Sequence, residues 1–322
     1  MIILTGGAGF IGSCFLRKLN DKGIQDILVV DRLGTGNKWK NLLKKNFATY
    51  IHKNEFRKNL NAGVYDNEYI DAIIHLGACS ATTEKDADYL FDNNLSYSIE
   101  LATFADRFNI RFIYASSAAT YGDGSQGYSD QNFNSLIPMN CYGFTKHLFD
   151  QWVIDNDLKE KFTGIKYFNV FGPNEYHKGD MASMVYKSYK QIIETGKVKL
   201  FKSNHPSFGD GGQKRDFLYV KDTVDIMWDI LEDKDFSGIY NLGTGSSRSW
   251  NDLANAVFKA LGKTPVIEFI DMPEHLTGQY QNFTEADMGK LRNAGINHKF
   301  MSLEESVDDY VNQHLQKNIS IW

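Results

Sequence analysis

Tyr142 and Lys146 stand four residues apart in the run Tyr142-Gly143-Phe144-Thr145-Lys146. On a helix that spacing places the phenol and the ammonium on one face. A tyrosine ordinarily ionises near pH 10, too high for a base at neutral pH, and a neighbouring cation lowers it. The same lysine can hydrogen-bond the ribose of a nicotinamide cofactor and so fix a hydride acceptor. Upstream, Ser116-Ser117-Ala118-Ala119-Thr120-Tyr121-Gly122 falls at the carboxyl end of a strand-like stretch, where ligands bind in open α/β sheets. A serine there can orient a substrate hydroxyl toward the tyrosine. Together these groups suit oxidation of an alcohol.

The hydride acceptor has its own signature. Gly7, Gly9 and Gly12 stand in G-x-G-x-x-G spacing between a strand and a helix. They serve a tight turn, close backbone approach to a pyrophosphate, and close helix–strand packing. The helix N-terminus offers free N–H groups to the phosphates. Asp31 follows 19 residues after Gly12, where an acidic side chain meets the adenosine ribose. Asp31 alone argues for NAD. Arg32 and Lys38 in the adjoining glycine-rich loop can hold a 2′-phosphate, so NADP is the expected cofactor, with NAD as the alternative.

These groups must be carried by alternating strands and helices. Strands are expected at Ile2–Thr5, Ile27–Asp31, Ala72–Leu76, Arg111–Ser116 and Gly164–Val170, with helices at Phe10–Lys22, Glu84–Phe108 and Tyr142–Leu158. Later helices fall near Ala182–Thr195, Val220–Glu232, Trp250–Leu261 and Leu303–Leu315. Short strands fall around Lys199–Lys202, Ile239–Leu242 and Val266–Phe269, and Ser203–Lys214 reads as a loop. The expected fold is α/β: a Rossmann-type doubly wound parallel sheet with a smaller interleaved α/β substrate lobe. Residues 1–170 plus about 215–245 form the cofactor domain, and about 171–214 and 246–322 form the lobe.

Composition agrees. At 322 residues the chain is long for one core, and 42% hydrophobic with 23% charged residues is ordinary globular composition. A formal charge of −5 makes nucleic acid or a membrane surface a poor partner. No apolar run approaches the length of a membrane span. Glycines follow the first strand at once, which leaves no room for a signal peptide. Cys14, Cys79 and Cys141 lie far apart without a CxxC pair, which fits a reducing cytoplasm. The eight histidines show no metal-ligand spacing, so no metal is expected. His75, inside an apolar strand, reads as a core histidine.

The segments TGGAGFIG, SSAATYG, YGFTK, RDFLYVKD and NLGTG resemble the extended short-chain dehydrogenase/reductase family over nearly the whole chain. In that family Ser, Tyr and Lys act together on a sugar alcohol beside NAD(P); matched by position, these are Ser117, Tyr142 and Lys146. Dehydratases of the family carry Asp-Glu where this chain has Ala118-Ala119, and methyl groups transfer no protons.

A narrower resemblance lies in YFNVFGPNEYHKGDMAS (167–183), GACSATTE (77–84) and GQYQNFTEAD (278–287). It is to the epimerase branch that inverts C6 of ADP-linked heptoses for lipopolysaccharide core synthesis. It implies a tightly held NADP, a homo-oligomer (pentameric in that branch) and a second catalytic base, Lys178. By the same positions the cofactor contacts are Phe10, Ile11, Asp31, Arg32, Lys38, Lys53, Leu76, Gly77, Ala78, Cys79, Ser80, Asn93, Lys146, Val170 and Lys178. Those to the substrate are Ser117, Asn169, Asp180, Lys187, Phe201, Arg215 and Tyr280. The alternatives are another nucleotide-sugar 4-epimerase of the family, which needs one base only, and a non-catalytic dinucleotide-binding regulator.

Overall fold

The computed structural model describes residues 1–322 apart from 134, 275–279 and 318–320. Gly278 and Gln279, which open the last of the resembling segments, lie outside the described residues. The strands are β1 (Ile2–Thr5), β2 (Ile27–Asp31), β3 (Thr49–His52), β4 (Ala72–His75), β5 (Arg111–Ser117), β6 (Phe162–Tyr167), β7 (Asn169–Phe171), β8 (Val198–Phe201), β9 (Lys214–Tyr219), β10 (Gly238–Leu242), β11 (Ser247–Ser249) and β12 (Ile267–Ile270). The main helices are α1 (Phe10–Asp21), α2 (Lys53–Asn61), α3 (Ala87–Leu90), α4 (Tyr97–Arg107), α5 (Cys141–Asp155), α6 (Met184–Thr195), α7 (Val220–Glu232) and α8 (Trp250–Ala260).

Seven strands form a parallel sheet in the order β10-β6-β5-β4-β1-β2-β3. Its central strands are continuous apolar runs, as a sheet covered on both faces requires. On one face Ile3, Leu28, Val30 and Ile73 pack with Phe56, Tyr97, Leu101 and Phe149. On the other, Leu4, Val29 and Ile74 pack with Phe15, Leu16 and Leu19 of α1 and with α7. Strand order reverses on either side of β1, so a crevice opens beyond the carboxyl ends of β1, β4 and β5, the usual ligand position of such sheets. A three-stranded sheet (β11-β9-β7) contributes Asn169, Val170, Phe171 and Phe217 to its lining, and β12 and β8 form a separate two-stranded sheet.

The stretch Gly164–Val170, expected as one strand, is two. β6 pairs with β5 and β10 until β10 ends at Leu242; the Phe168 amide then donates to the Leu242 carbonyl. Asn169 starts a new ladder opposite Phe217, in the small sheet. The helix expected from Glu84 starts at Ala87, because the Asp86 carboxylate accepts from the Tyr89 amide and caps it. Between α3 and α4 it widens into a π-helical turn, Phe91–Ser96, which buries both Asn93 and Asn94. Strands β3, β9 and β11 and helix α2 carry no expectation from sequence.

Candidate active site

The turn after β1 leaves no room for side chains. A Cβ on Gly12 would lie 2.1 Å from the Gly6 carbonyl oxygen, so α1 can start this close to the turn only as glycine. Gly6 itself has φ +71°, a left-handed conformation, and a Cβ there would meet the Gly77 and Leu76 backbone at 2.7 Å. The cradle is thus shaped for a group that approaches bare backbone. Asp31 is buried at the end of β2; its carboxylate accepts from the Ala8 amide (2.9 Å), the Arg32 amide (2.6 Å) and the Lys38 ammonium. Around it lies a pocket lined by Arg32, Gly34, Lys38, Lys53, Cys79 and Asn93. Lys53 donates to Asn93 Oδ1, and burial together with the nearby Arg32 and Arg57 holds its pKa below the ordinary lysine value. Three cations face one pocket, a donor set fit for phosphate.

A cavity of about 510 Å³ continues from this turn. Gly9, Phe10, Ile11, Gly12, Leu76, Gly77, Ala78, Ser80 and Val170 line it beside Ser117, Tyr142, Lys146, Asn169 and Lys178. Gly7 is packed against Val29 beneath the turn and is not among the lining residues. Residues 77–80 are held by Asn94, whose side chain accepts from the Cys79 amide (2.8 Å) and donates to the Cys79 carbonyl (3.0 Å). His75 is satisfied in the core, with Thr5 Oγ1 at 2.7 Å and Ser98 Oγ at 2.9 Å from its two ring nitrogens.

Helix α5 begins at Cys141 because the Asn140 side chain caps it, accepting from the Gly143 amide at 2.8 Å. That start presents Tyr142 and Lys146 to the cavity. The Ser117 hydroxyl hydrogen-bonds the Tyr142 phenol, which favours the phenolate, but burial dominates and raises the tyrosine above its ordinary value. The expected lowering by Lys146 is absent. The ammonium donates instead to the Ala115 carbonyl (2.9 Å), and burial, opposed by Asp150, pulls its own pKa down to about 8.

Beneath Ser117 lies a fully buried ion pair that sequence reasoning missed. Lys166 on β6 donates to Asp150 on α5 at 2.6 Å, with both side chains at 0% exposure. Asp150 also accepts from Ser116 (2.7 Å) and Tyr114 (3.1 Å), and Lys166 donates to Thr120 (2.9 Å). The strand end that carries Ser117 is thereby tied to the helix that carries Tyr142.

Lys178 sits on a short helical turn, Tyr176–Met181, with its ammonium 5.5 Å from the centre of the Phe10 ring. Burial lowers its pKa, with Glu175 pulling the other way. Glu175 is fully buried and closes the base of this turn, accepting from the Ser183 amide (2.5 Å), the Ser183 hydroxyl (2.7 Å) and the Gly172 amide (3.3 Å). His177 lines both the cavity and the Asp31 pocket. Only its place beside Lys178 in the sequence could have signalled it.

The remaining candidates sit on the back lobe. Arg215, buried on β9, lies 5.1 Å from the Tyr280 ring and 5.5 Å from that of Trp250, and it donates to the Gln281 carbonyl. The Trp250 indole donates to the Tyr280 hydroxyl (2.7 Å), and Phe201 meets Tyr280 edge-on at 6.3 Å. Of this group Trp250 lines the cavity, beside Gln281, whereas Arg215, Tyr280 and Phe201 pack behind it and are not among the lining residues. Lys187 and Asp180 lie apart from that group: the Lys187 ammonium donates to the Asp180 carbonyl (2.6 Å), and the Asp180 side chain is exposed.

A model of the NAD dependent epimerase/dehydratase family matches residues 2–243. The chain is 52% identical over 317 residues to an ADP-L-glycero-D-manno-heptose-6-epimerase of Nitratidesulfovibrio vulgaris, covering 98% of each. It is 50% identical over 335 residues to the protein of that name from Fusobacterium nucleatum, covering 99% of each. Among solved structures, the ADP-L-glycero-D-manno-heptose-6-epimerase of Helicobacter pylori superposes with a TM-score of 0.82 at 26% identity, covering 97% of this chain and 95% of that one. The UDP-glucose 4-epimerase of Thermotoga maritima reaches 0.81 at 23% identity over 99% of each chain, a likeness of fold.

Proposed function

The chain belongs to the NAD dependent epimerase/dehydratase family, and from that premise we propose that it inverts C6 of an ADP-linked manno-heptose with NADP as resident cofactor. The observation that carries this reading is that Tyr142 and Lys178 reach one cavity from different elements, α5 and the 176–181 turn. Inverting an unactivated carbinol carbon requires removing a hydride and returning it to the opposite carbonyl face. The oxygen then occupies two orientations, and each needs its own proton acceptor and donor. A family member that rotates a flat ring needs one such group; this cavity offers two.

When bound, the nicotinamide accepts a hydride and returns it. Tyr142 takes the hydroxyl proton at its phenol oxygen for one orientation, with the Ser117 hydroxyl favouring the phenolate. Lys178, its pKa lowered by burial, serves the other. Ala118 and Ala119 line the cavity with methyl groups, so it lacks there the acid and base that water elimination would use. Arg215 and its aromatic neighbours hold the ADP moiety, with Lys187 and Asn169 as further contacts.

NADP is preferred because Arg32, Lys38 and Lys53 face the Asp31 pocket, and their charges match a 2′-phosphate. The cofactor lies on residues 1–170 with about 215–245, and the nucleotide sugar on 171–214 and 246–322. Among the described residues no helix is long and apolar enough to cross a membrane. Cytoplasmic supply of heptose for lipopolysaccharide, by a homo-oligomer of pentameric form, completes the reading.

The test is an NMR time course with ADP-D-glycero-β-D-manno-heptose, with absorbance at 340 nm recorded alongside. The expected result is inversion at C6 without growth of NADPH, abolished in Tyr142→Phe. Steady NADPH accumulation would mean a dehydrogenase, and undiminished turnover in Tyr142→Phe would overturn the catalytic assignment.

A further inference from the structure

Asn41 belongs to the short helical turn Lys38–Leu42, the same turn that carries Lys38 to Asp31. Its side chain is buried, with 4% exposure. Its amide nitrogen lies 3.0 Å from the Ala8 carbonyl oxygen, 3.0 Å from the Asn174 carbonyl oxygen and 3.3 Å from His177 Nδ1. A primary amide has two N–H groups, and the two carbonyls take both. The His177 Nδ1 proton then goes to the Asn174 carbonyl, 3.1 Å away. One side chain thus joins three segments far apart in sequence: the glycine turn, the Lys38 turn and the segment that carries Lys178.

Both attached segments have further supports, and they differ in backbone strain. The glycine turn has other supports: the Ala8 amide donates to Asp31, Gly9 to the Gly6 carbonyl and Gly6 to the Val30 carbonyl. Asn174 is held in a left-handed conformation, φ +74°, which costs a non-glycine residue energy and persists only where its surroundings impose it. Its side chain donates to Ser13 Oγ (3.0 Å) and the Trp322 carbonyl (3.0 Å) and accepts from the Trp322 amide (2.9 Å), while its carbonyl rests on Asn41 and His177. Four residues on stands Lys178.

Building on the two-base reading above, we infer that Asn41 is a positioning residue for Lys178, holding its turn against the cofactor domain. Removing it misplaces the second base and leaves the cofactor cradle in place. Asn41→Ala is expected to lower kcat for C6 inversion of ADP-D-glycero-β-D-manno-heptose at least tenfold, while NADP affinity, read by fluorescence titration, and KM stay within threefold. The distinguishing measurement is a double-variant cycle with Lys178→Met. If Asn41 acts through Lys178, adding Asn41→Ala to Lys178→Met changes the residual rate less than threefold. An equal loss in both backgrounds would overturn the proposal alone. Full inversion by Lys178→Met would overturn the second-base reading and this inference with it. Independently of activity, hydrogen–deuterium exchange across residues 174–182 should rise at least tenfold in Asn41→Ala while β1 and residues 77–80 are unchanged; unaltered exchange across 174–182 would also refute it. Should Asn41→Ala fail to fold, Asn41→Ser, which keeps one donor, carries the same tests.

Discussion

Lys38→Ala separates the two cofactors by opposite effects on each. The Lys38 side chain is about a quarter exposed and pairs with the buried Asp31 carboxylate. A charge-assisted hydrogen bond from it to a 2′-phosphate is worth about 1.5–3 kcal/mol, and partial exposure places it in the lower half. At about 1.4 kcal/mol per factor of ten, NADP affinity should fall roughly 12- to 40-fold. NAD should respond the other way. Without Lys38, Asp31 keeps the Ala8 and Arg32 amides as donors and regains a lone pair for a ribose 2′-hydroxyl. That neutral-donor bond is worth about 0.5–1.5 kcal/mol, so NAD should bind about 2- to 10-fold more tightly. The NADP-to-NAD preference therefore shifts by roughly 24- to 400-fold, the product of the two. Titrations of NADPH and NADH fluorescence on the purified protein measure both affinities, and raising salt should shrink the NADP effect most. Equal losses for the two cofactors, or an unchanged NADP affinity, would refute the assignment of Lys38 to the 2′-phosphate.

Three further outcomes are expected. Lys146, with a pKa near 8 in the free protein, is about 90% charged at pH 7 and about 10% at pH 9. Affinity for anionic NADP should therefore weaken as pH rises through 8, and a flat profile would show that the charge plays no part. Asp150→Asn strands the Lys166 ammonium in the core and should cost about 3–5 kcal/mol in urea unfolding, because a lone buried charge is left behind. Asp150→Leu combined with Lys166→Met should recover part of that, and a cost below about 1 kcal/mol for Asp150→Asn would contradict the burial argument. In Gly12→Ala the new methyl would overlap the Gly6 carbonyl, so α1 must shift and NADP binding should be lost; wild-type affinity would contradict the close-packing account.

Much of the cofactor domain was legible because its signals are local. The runs Ile2–Leu4 and Ile27–Val30 are apolar throughout and lead into Thr5 before the glycine turn and into Asp31, and both strands lie where expected. The strand β3 was not legible, since its residues Thr49–His52 are half-buried or exposed at a sheet edge and show no apolar alternation. The strand β9 opens with Lys214-Arg215-Asp216, which reads as a charged loop. Asp216 is nonetheless buried there, accepting from the amides of Thr244, Gly245 and Ala286. Lys166 failed in the same way: a lysine at 0% exposure in a core strand makes sense only once Asp150 is beside it. The site divided along similar lines. Tyr142 and Lys146 were found by their spacing on one helix, whereas Asn41 and His177 meet across 136 positions, which no local pattern reveals.

The break at Phe168 has a mechanical meaning. The large sheet hands the chain to the small sheet across that one residue, which sits between Tyr167 at the end of one ladder and Asn169 at the start of the other. The chain passes between the layers again with no intervening residue, from Tyr219 of β9 to Val220 of α7, which packs on the large sheet, so the small sheet is tied to the large one at more than one point. Asn169 and Val170, the first residues of the new ladder, line the cavity, so the point where one sheet gives way to the other is also a wall of the site.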